Sequence, residues 1–171
     1  MRILILSTAL ISVLLSACST STSNKEAVFE RQARWALLPV INYSQAPQAG
    51  ERTEQILQSV LNQRGIKVHV YPHTQSSSMP LLDDQKRLDN MWQWARKQGF
   101  DYVITGSIEE WQYKSGLDSE PAVGISLQVI NPATGQTMWS NSGARSGWSR
   151  ESLAGNAQKV LKKLVAKLHV E

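Results

Sequence analysis

One cysteine, Cys18, is all that the 171-residue chain carries, so no intrachain disulfide can form and the fold has to rest on packing. Histidine is also scarce. His69, His73 and His169 lie far apart, no two stand at ligand spacing, and neither a His/Glu helix pattern nor a glycine-rich phosphate loop occurs. No metal site or cofactor is therefore expected beyond a covalent lipid discussed below. Net charge is small, and Lys159, Lys162, Lys163 and Lys167 read as the solvated side of the last helix. The formal charge is +4, with no basic cluster interleaved with aromatics, so nucleic acid is not an expected partner. Glu109 and Glu110 are neighbours on an expected strand, which predicts side chains on opposite faces and no working carboxylate pair. Glycoside hydrolysis, which needs such a pair, gains no support, and the chain reads as a binding or assembly protein, not an enzyme. Phenylalanine is nearly missing as well. Two residues stand against six tryptophans, large rigid side chains that suit interfaces and sugar-facing surfaces as well as cores.

What is present begins at the N-terminus. Arg2 is followed by an uncharged stretch, residues 3–15, too short to persist as a membrane-spanning helix, and then by Ser16-Ala17-Cys18. A positive start, a short apolar run and small residues before a cut site make a signal peptide over residues 1–17. Small residues followed at once by cysteine resemble the lipobox of bacterial lipoproteins, which implies that Cys18 becomes the lipid-modified first residue. The alternative is an ordinary signal peptide beside an incidental cysteine. Ser19, in place of aspartate, resembles the outer-membrane pattern. Several acyl chains, at roughly 0.8 kcal/mol per buried CH₂, hold a protein to a membrane far better than one chain does. Loss of the leader removes Arg2 and lowers the formal charge by one. Residues 18–28 then form the lipidated end and a Ser/Thr/Asn-rich tether, and residues 29–171 form one domain.

Periodicity orders that domain as β-α-β-α-β-β-β-α, an α/β fold with a mixed sheet and helices. Residues 35–41 read as a buried first strand that Pro39 ends or bends. Ile56, Leu57, Val60 and Leu61 make one stripe of a helix over 51–64, stopped by Gly65. Alternation over 66–71 predicts a strand with Ile66, Val68 and Val70 inward and His69 outward. A second helix spans 84–98, with Leu88, Met91, Trp92 and Ala95 on its apolar face. Residues 101–113 give a long strand, central in its first half and polar enough in its second half to leave the core. Residues 122–130 and 136–142 form a hairpin around Asn131-Pro132-Ala133-Thr134-Gly135. Ser149 is expected to cap a final helix reaching to about His169, apolar at Leu153, Ala157, Val160, Leu161, Leu164 and Leu168. The early alternation implies parallel strands with crossovers, and the later run implies antiparallel hairpins.

Two stretches carry candidate contact residues. Residues 110–120 hold Glu110, Trp111, Tyr113, Lys114, Asp118 and Glu120 on an expected protruding connection. Aromatic anchors there suit a protein interface, through Trp111, Tyr113 and Lys114, or else Trp111 and Tyr113 cap the end of the sheet. The second stretch, residues 142–151, sets Arg145 and Trp148 among small residues. Trp148 either packs back on Leu153 as a hydrophobic staple or faces a partner or a sugar. Trp35, Trp92 and Trp139 read as core.

Five segments together resemble a family. They are Trp35-Ala36-Leu37-Leu38-Pro39 with Asn42, Ala49-Gly50-Glu51-Arg52, residues 102–118 (Tyr102-Val103-Ile104-Thr105-Gly106-Ser107 through Tyr113-Lys114-Ser115-Gly116-Leu117-Asp118), Glu120-Pro121-Ala122-Val123-Gly124-Ile125-Ser126-Leu127, and Gly143-Ala144-Arg145-Ser146-Gly147-Trp148-Ser149. They resemble the PelC family, outer-membrane lipoproteins of the Pel exopolysaccharide secretion apparatus. The Leu-Leu-Pro start and the Thr-Gly-Ser strand are shared more widely, with domains resembling the N-terminal part of TolB, the curli secretion lipoprotein and LpoB-type activators of cell-wall synthases. The resemblance implies a non-enzymatic dodecameric ring, lipid-anchored on the periplasmic face of the outer membrane, that guides a cationic exopolysaccharide to the porin PelB. It places Trp148 on the pore, with Arg145, Asp118, Glu120 and Glu110 as polymer-facing residues. The alternative is an LpoB-like regulator of a synthase. The tether argues against that, since about eight residues extend at most ~3.3–3.6 Å each.

If Cys18 is the lipid attachment site, Cys18→Ser moves the protein from the membrane fraction to the soluble fraction, and mass spectrometry of the mature N-terminus shows no acyl chains.

Overall fold

The computed structural model describes residues 27–72, 84–115 and 119–171. In chain order the elements are β1 (Val28–Phe29), β2 (Trp35–Asn42), α1 (Ala49–Gln63), β3 (Val68–Val70), α2 (Asp84–Lys97), β4 (Tyr102–Tyr113), β5 (Pro121–Ile130), β6 (Thr137–Ser146), α3 (Leu153–Ala166) and β7 (His169–Val170). Five strands form one mixed sheet in the order β3-β2-β4-β5-β6. β3, β2 and β4 run parallel, joined by crossovers through α1 and α2, and β4, β5 and β6 run antiparallel. This is the expected α/β order, with a small parallel sheet of β1 and β7 added.

The apolar stripes decide the layers. One face of the sheet packs on α1 and α3 through Leu37, Val40, Ile104, Ile108, Val123, Ile125, Leu127, Val129 and Trp139, against Leu57, Leu61, Val160, Leu161 and Leu164. The other face meets α2 only over its parallel half, where Ala36, Leu38 and Val103 bury Met91, Ala95 and Phe100. Each fully buried aliphatic side chain in such a core contributes about 1.5–3 kcal/mol. Trp35 and Trp139 are core, as expected, and Trp92 is half-buried.

Three strands each carry one extra residue: β6 at Met138, near its start, and β2 and β4 within the core. Between Leu37 and Val40, β2 slips by one against β4, and between Ile108 and Glu110, β4 slips by one against β5. Residues three apart on an unbroken strand face opposite sides, yet Leu37 and Val40 share one core, as do Ile108 and Trp111. Pro39 therefore bends β2 without ending it. The groups the bulge releases are satisfied. The Val40 N–H donates to buried Glu54 Oε1 at 2.9 Å, and Thr105 Oγ1 donates to the Pro39 carbonyl at 2.8 Å. Gly50 makes this fit possible, because a Cβ there would sit 2.6 Å from the Val40 oxygen.

Several expectations are corrected. The second half of β4 stays in the core through Ile108 and Trp111, because the bulge restores its phase. Ile41 is 43% exposed, since it lies near the end of β2, beyond the residues that pack on α2. Leu88 is exposed on the first half of α2. The last strand runs to Ser146, four residues further than its composition suggests, held by pairing with β5. Ser152, not Ser149, caps α3, with Oγ accepting the Gly155 N–H at 3.0 Å. The helix stops at Ala166, where the Arg64 guanidinium donates to the Val165 carbonyl. His169 then belongs to β7, which pairs with β1 instead of continuing the helix.

Glu54→Ala leaves the Val40 N–H buried without its acceptor and costs about 1–3 kcal/mol. Urea unfolding is expected to show a lower midpoint with an unchanged slope, and Glu54→Gln, which keeps an acceptor, to recover much of the loss.

Candidate functional site

The candidate residues converge on one end of the sheet, where β4 ends, β5 starts and β6 ends. Tyr113 pairs with Pro121, and Gln112, Ala122 and Ser146 lie side by side across three strands. The ladder continues one step further, with the Gly147 N–H donating to the Pro121 carbonyl at 2.8 Å. The connection between β4 and β5 is closed by the Lys114 N–H on the Glu120 carbonyl at 2.8 Å. Lys114 Nζ then reaches across the sheet to donate to Ser146 Oγ at 2.8 Å. Most of the stretch around Trp111 is thus strand and not loop. Trp111 is taken into the core, which corrects its placement on a protruding connection and leaves it no free surface in a single subunit. Tyr113, Lys114 and Glu120 are exposed at the rim. Asp118 and Cys18 lie outside the described residues.

Arg145 is not a free cation on a surface. Its Nε donates to Asn156 Oδ1 at 2.6 Å, and its Nη2 donates to both Glu151 oxygens, at 3.1 and 3.3 Å. Lys159 adds a second cation to the same carboxylate. These contacts clamp the end of β6 to the first turns of α3. Gly147 lies against the clamp so closely that a Cβ would overlap Glu151 and Asn156. The Glu151 N–H closes a turn on the Trp148 carbonyl at 2.8 Å. Trp148 therefore projects from a pinned backbone, and its side chain is 78% exposed. At that exposure the indole faces outward instead of packing down on Leu153 as a staple.

The bulge in β4 has a second effect at this end. With Ile108 and Trp111 both inward, Glu109 and Glu110 both turn to the uncovered face, and a Cβ on Gly124 would lie 3.8 and 3.5 Å from their β-carbons. The expectation that they point opposite ways is overturned by the extra residue. Glu109 accepts from Ser107 Oγ at 2.7 Å and Glu110 from Gln112 Nε2 at 3.1 Å. Among the described residues no group of three or more His, Cys, Asp or Glu side chains could hold a metal ion, and no helix is long and apolar enough to cross a membrane.

Sequence reasoning missed Glu151, Asn156 and Lys159. One signal was legible: Asn156 stands on the apolar stripe of α3, three residues after Leu153 and four before Val160, where a polar side chain asks for a partner.

No protein-family model and no curated protein sequence matches the chain. Solved structures do match. A leucine-to-methionine variant of the PelC dodecamer from Paraburkholderia phytofirmans aligns with a TM-score of 0.76 at 31% identity, covering 90% of this chain and all of the other. This chain belongs to the PelC family. A second PelC dodecamer structure from the same organism gives a TM-score of 0.75 at 30% identity, with 90% of this chain and 99% of that one covered. Lipoprotein GNA1162 from Neisseria meningitidis shares the fold, with a TM-score of 0.55 at 14% identity, covering 79% of this chain and 96% of that one. The family resemblance read from residues 35–149 is thereby established.

The clamp has a pH signature. The hydrogen bond from Lys159 is the largest influence on Glu151; desolvation pushes the other way, and with the added effect of Arg145 the pKa is lowered from 4.5 to about 2. A depressed carboxyl pKa stabilises the fold fully above its unfolded value and loses that contribution as pH falls toward the folded value. Glu151→Gln is expected to lower the thermal midpoint above pH 5. The gap to wild type should close progressively between pH 4.5 and pH 2, as read by circular dichroism.

Proposed function

We propose that this chain is a non-enzymatic subunit of a Pel exopolysaccharide export apparatus. It is anchored by lipid on Cys18 to the periplasmic face of the outer membrane, assembles with itself into a dodecameric ring, and guides a cationic polymer to the porin PelB. The observation that carries this reading is the match over 90% of the chain to a protein whose solved form is a dodecamer. The exposure of Trp148 supports it from within the molecule, since a rigid, outward indole repeated once per subunit makes an aromatic collar.

The rim also suits a cationic chain at one place. Glu109 and Glu110 share a face, and Glu120 is exposed nearby in the fold. Long-range attraction from such carboxylates draws in a polycation without fixing it and is weakened by salt. Arg145 serves this function indirectly. Its guanidinium is bonded to Glu151 and Asn156, which pins the backbone from which Trp148 projects.

The test begins with the mass of the soluble chain starting at Ser19, by light scattering on a size-exclusion column. Twelve subunits are expected; a clean monomer would remove the ring and favour a synthase regulator of the LpoB type. In cells, Trp148→Ala is expected to lower secreted polymer several-fold while the ring mass is kept. The paired reversal Glu109→Lys with Glu110→Lys is expected to lower secretion further at low salt than at high salt.

A further inference from the structure

We infer that the free edge of β6 is the place where a neighbouring copy of this chain adds a strand. β6 has ten residues and ends the five-stranded sheet, while the opposite edge, β3, has three. Long flat edges are templates for pairing, and natural sheets blunt them with proline, lysine, inward charges or brevity. β3 is blunted by brevity. β6 has no proline and no lysine, and its one charge, Arg145, is turned to the α3 side and held by Glu151 and Asn156.

The ladder shows which groups are on offer. The Gly147 N–H bonds to Pro121, which fixes the odd positions of β6 as the ones that pair with β5. The Lys114 N–H on the Glu120 carbonyl fixes the matching alternation on the other side of β5, where Ala122 pairs toward β4. Ser140, Ser142 and Ala144 therefore turn their backbone N–H and C=O groups away from β5, to the edge. Their side chains lie on the uncovered face, where Ser142 and Ala144 are exposed and no bulk obstructs an arriving strand.

The occupant is a second copy and not a foreign peptide, and this step rests on the ring proposed above. A closed ring needs a head-to-tail contact in which one patch meets a different patch. Pairing of β6 with another β6 would be self-complementary and would stop at two, so the added strand comes from a different part of the neighbour. Backbone pairing along the edge supplies direction and register with few side-chain demands.

Proline is the discriminating probe. Ser142→Pro removes one outward N–H and leaves the bonds to β5 untouched, a position where edge strands accept proline. It is expected to convert the ring to monomers with an unchanged circular dichroism spectrum, while Ser142→Ala keeps the ring. Should Ser142→Pro misfold, residue-resolved hydrogen exchange on the assembled wild type decides the matter. The amides of Ser140, Ser142 and Ala144 are expected to be protected like those of Trp139, Asn141 and Gly143. Fast exchange at the even positions in an intact oligomer, or a Ser142→Pro protein that keeps its mass, would overturn the edge and leave the ring standing. A monomeric wild type would remove both.

Discussion

The continuous apolar face that the five-stranded sheet presents to α1 and α3 depends on the extra residues that β2 and β4 accommodate at its centre. Side chains alternate strictly along a strand, so any long strand that must bury both of its ends has to keep phase with its neighbours. β2 fails to do so at Pro39, and β4 fails at Glu109. A single inserted residue in each restores the phase, so that Val40 and Trp111 return to the core. The repair is local in backbone terms but depends on distant side chains. Glu54 on α1 accepts the N–H that the first bulge releases, Thr105 on β4 serves the Pro39 carbonyl, and Gly50 lets the helix approach. Without that contact the two halves of the sheet would present different faces to the same helices.

The same constraint produces the rim. The bulge that brings Trp111 inward leaves Glu109 and Glu110 together on the outer face, and the continuation of β4 to Tyr113 carries the strand to the end of the sheet. There a second device takes over. Arg145, Glu151, Asn156 and Lys159 join the last strand to the last helix, and Gly147 allows them to close over the backbone. Trp148 is exposed but not loose, because its carbonyl accepts from Glu151 and its predecessor is bonded to Pro121. A large aromatic held out by a rigid scaffold loses little entropy when it meets a partner. That is a physical reason for an ion cluster beneath a side chain that is mostly exposed.

The uncovered half of the sheet belongs to the same economy. α2 shields only the parallel strands, so the antiparallel half keeps small and polar side chains such as Ser107, Ser126, Ser142 and Ala144. A face of this kind needs no partner for burial, which leaves its long edge as the feature that asks for explanation.

Much of this was legible in the chain itself. The periodic stripes fixed three helices and the order of strands, because Leu57 and Leu61, or Val160, Leu161 and Leu164, repeat at the helical period and residues 122–130 at the period of a strand. The segments around Pro39, Gly106 and Gly147 carried the family. What local pattern could not decide is where an extra residue resets the phase, since a bulge is defined by the partner strand and not by the strand that contains it. For that reason the facing of Glu109 and Glu110, the burial of Trp111 and the reach of β6 to Ser146 came only from the tertiary structure. The cap at Ser152 likewise came only from the structure, where its Oγ accepts the Gly155 N–H. Sequence determines which side chains want burial, at what period, and so the elements and their order. The assembled sheet alone decides which side each of them faces.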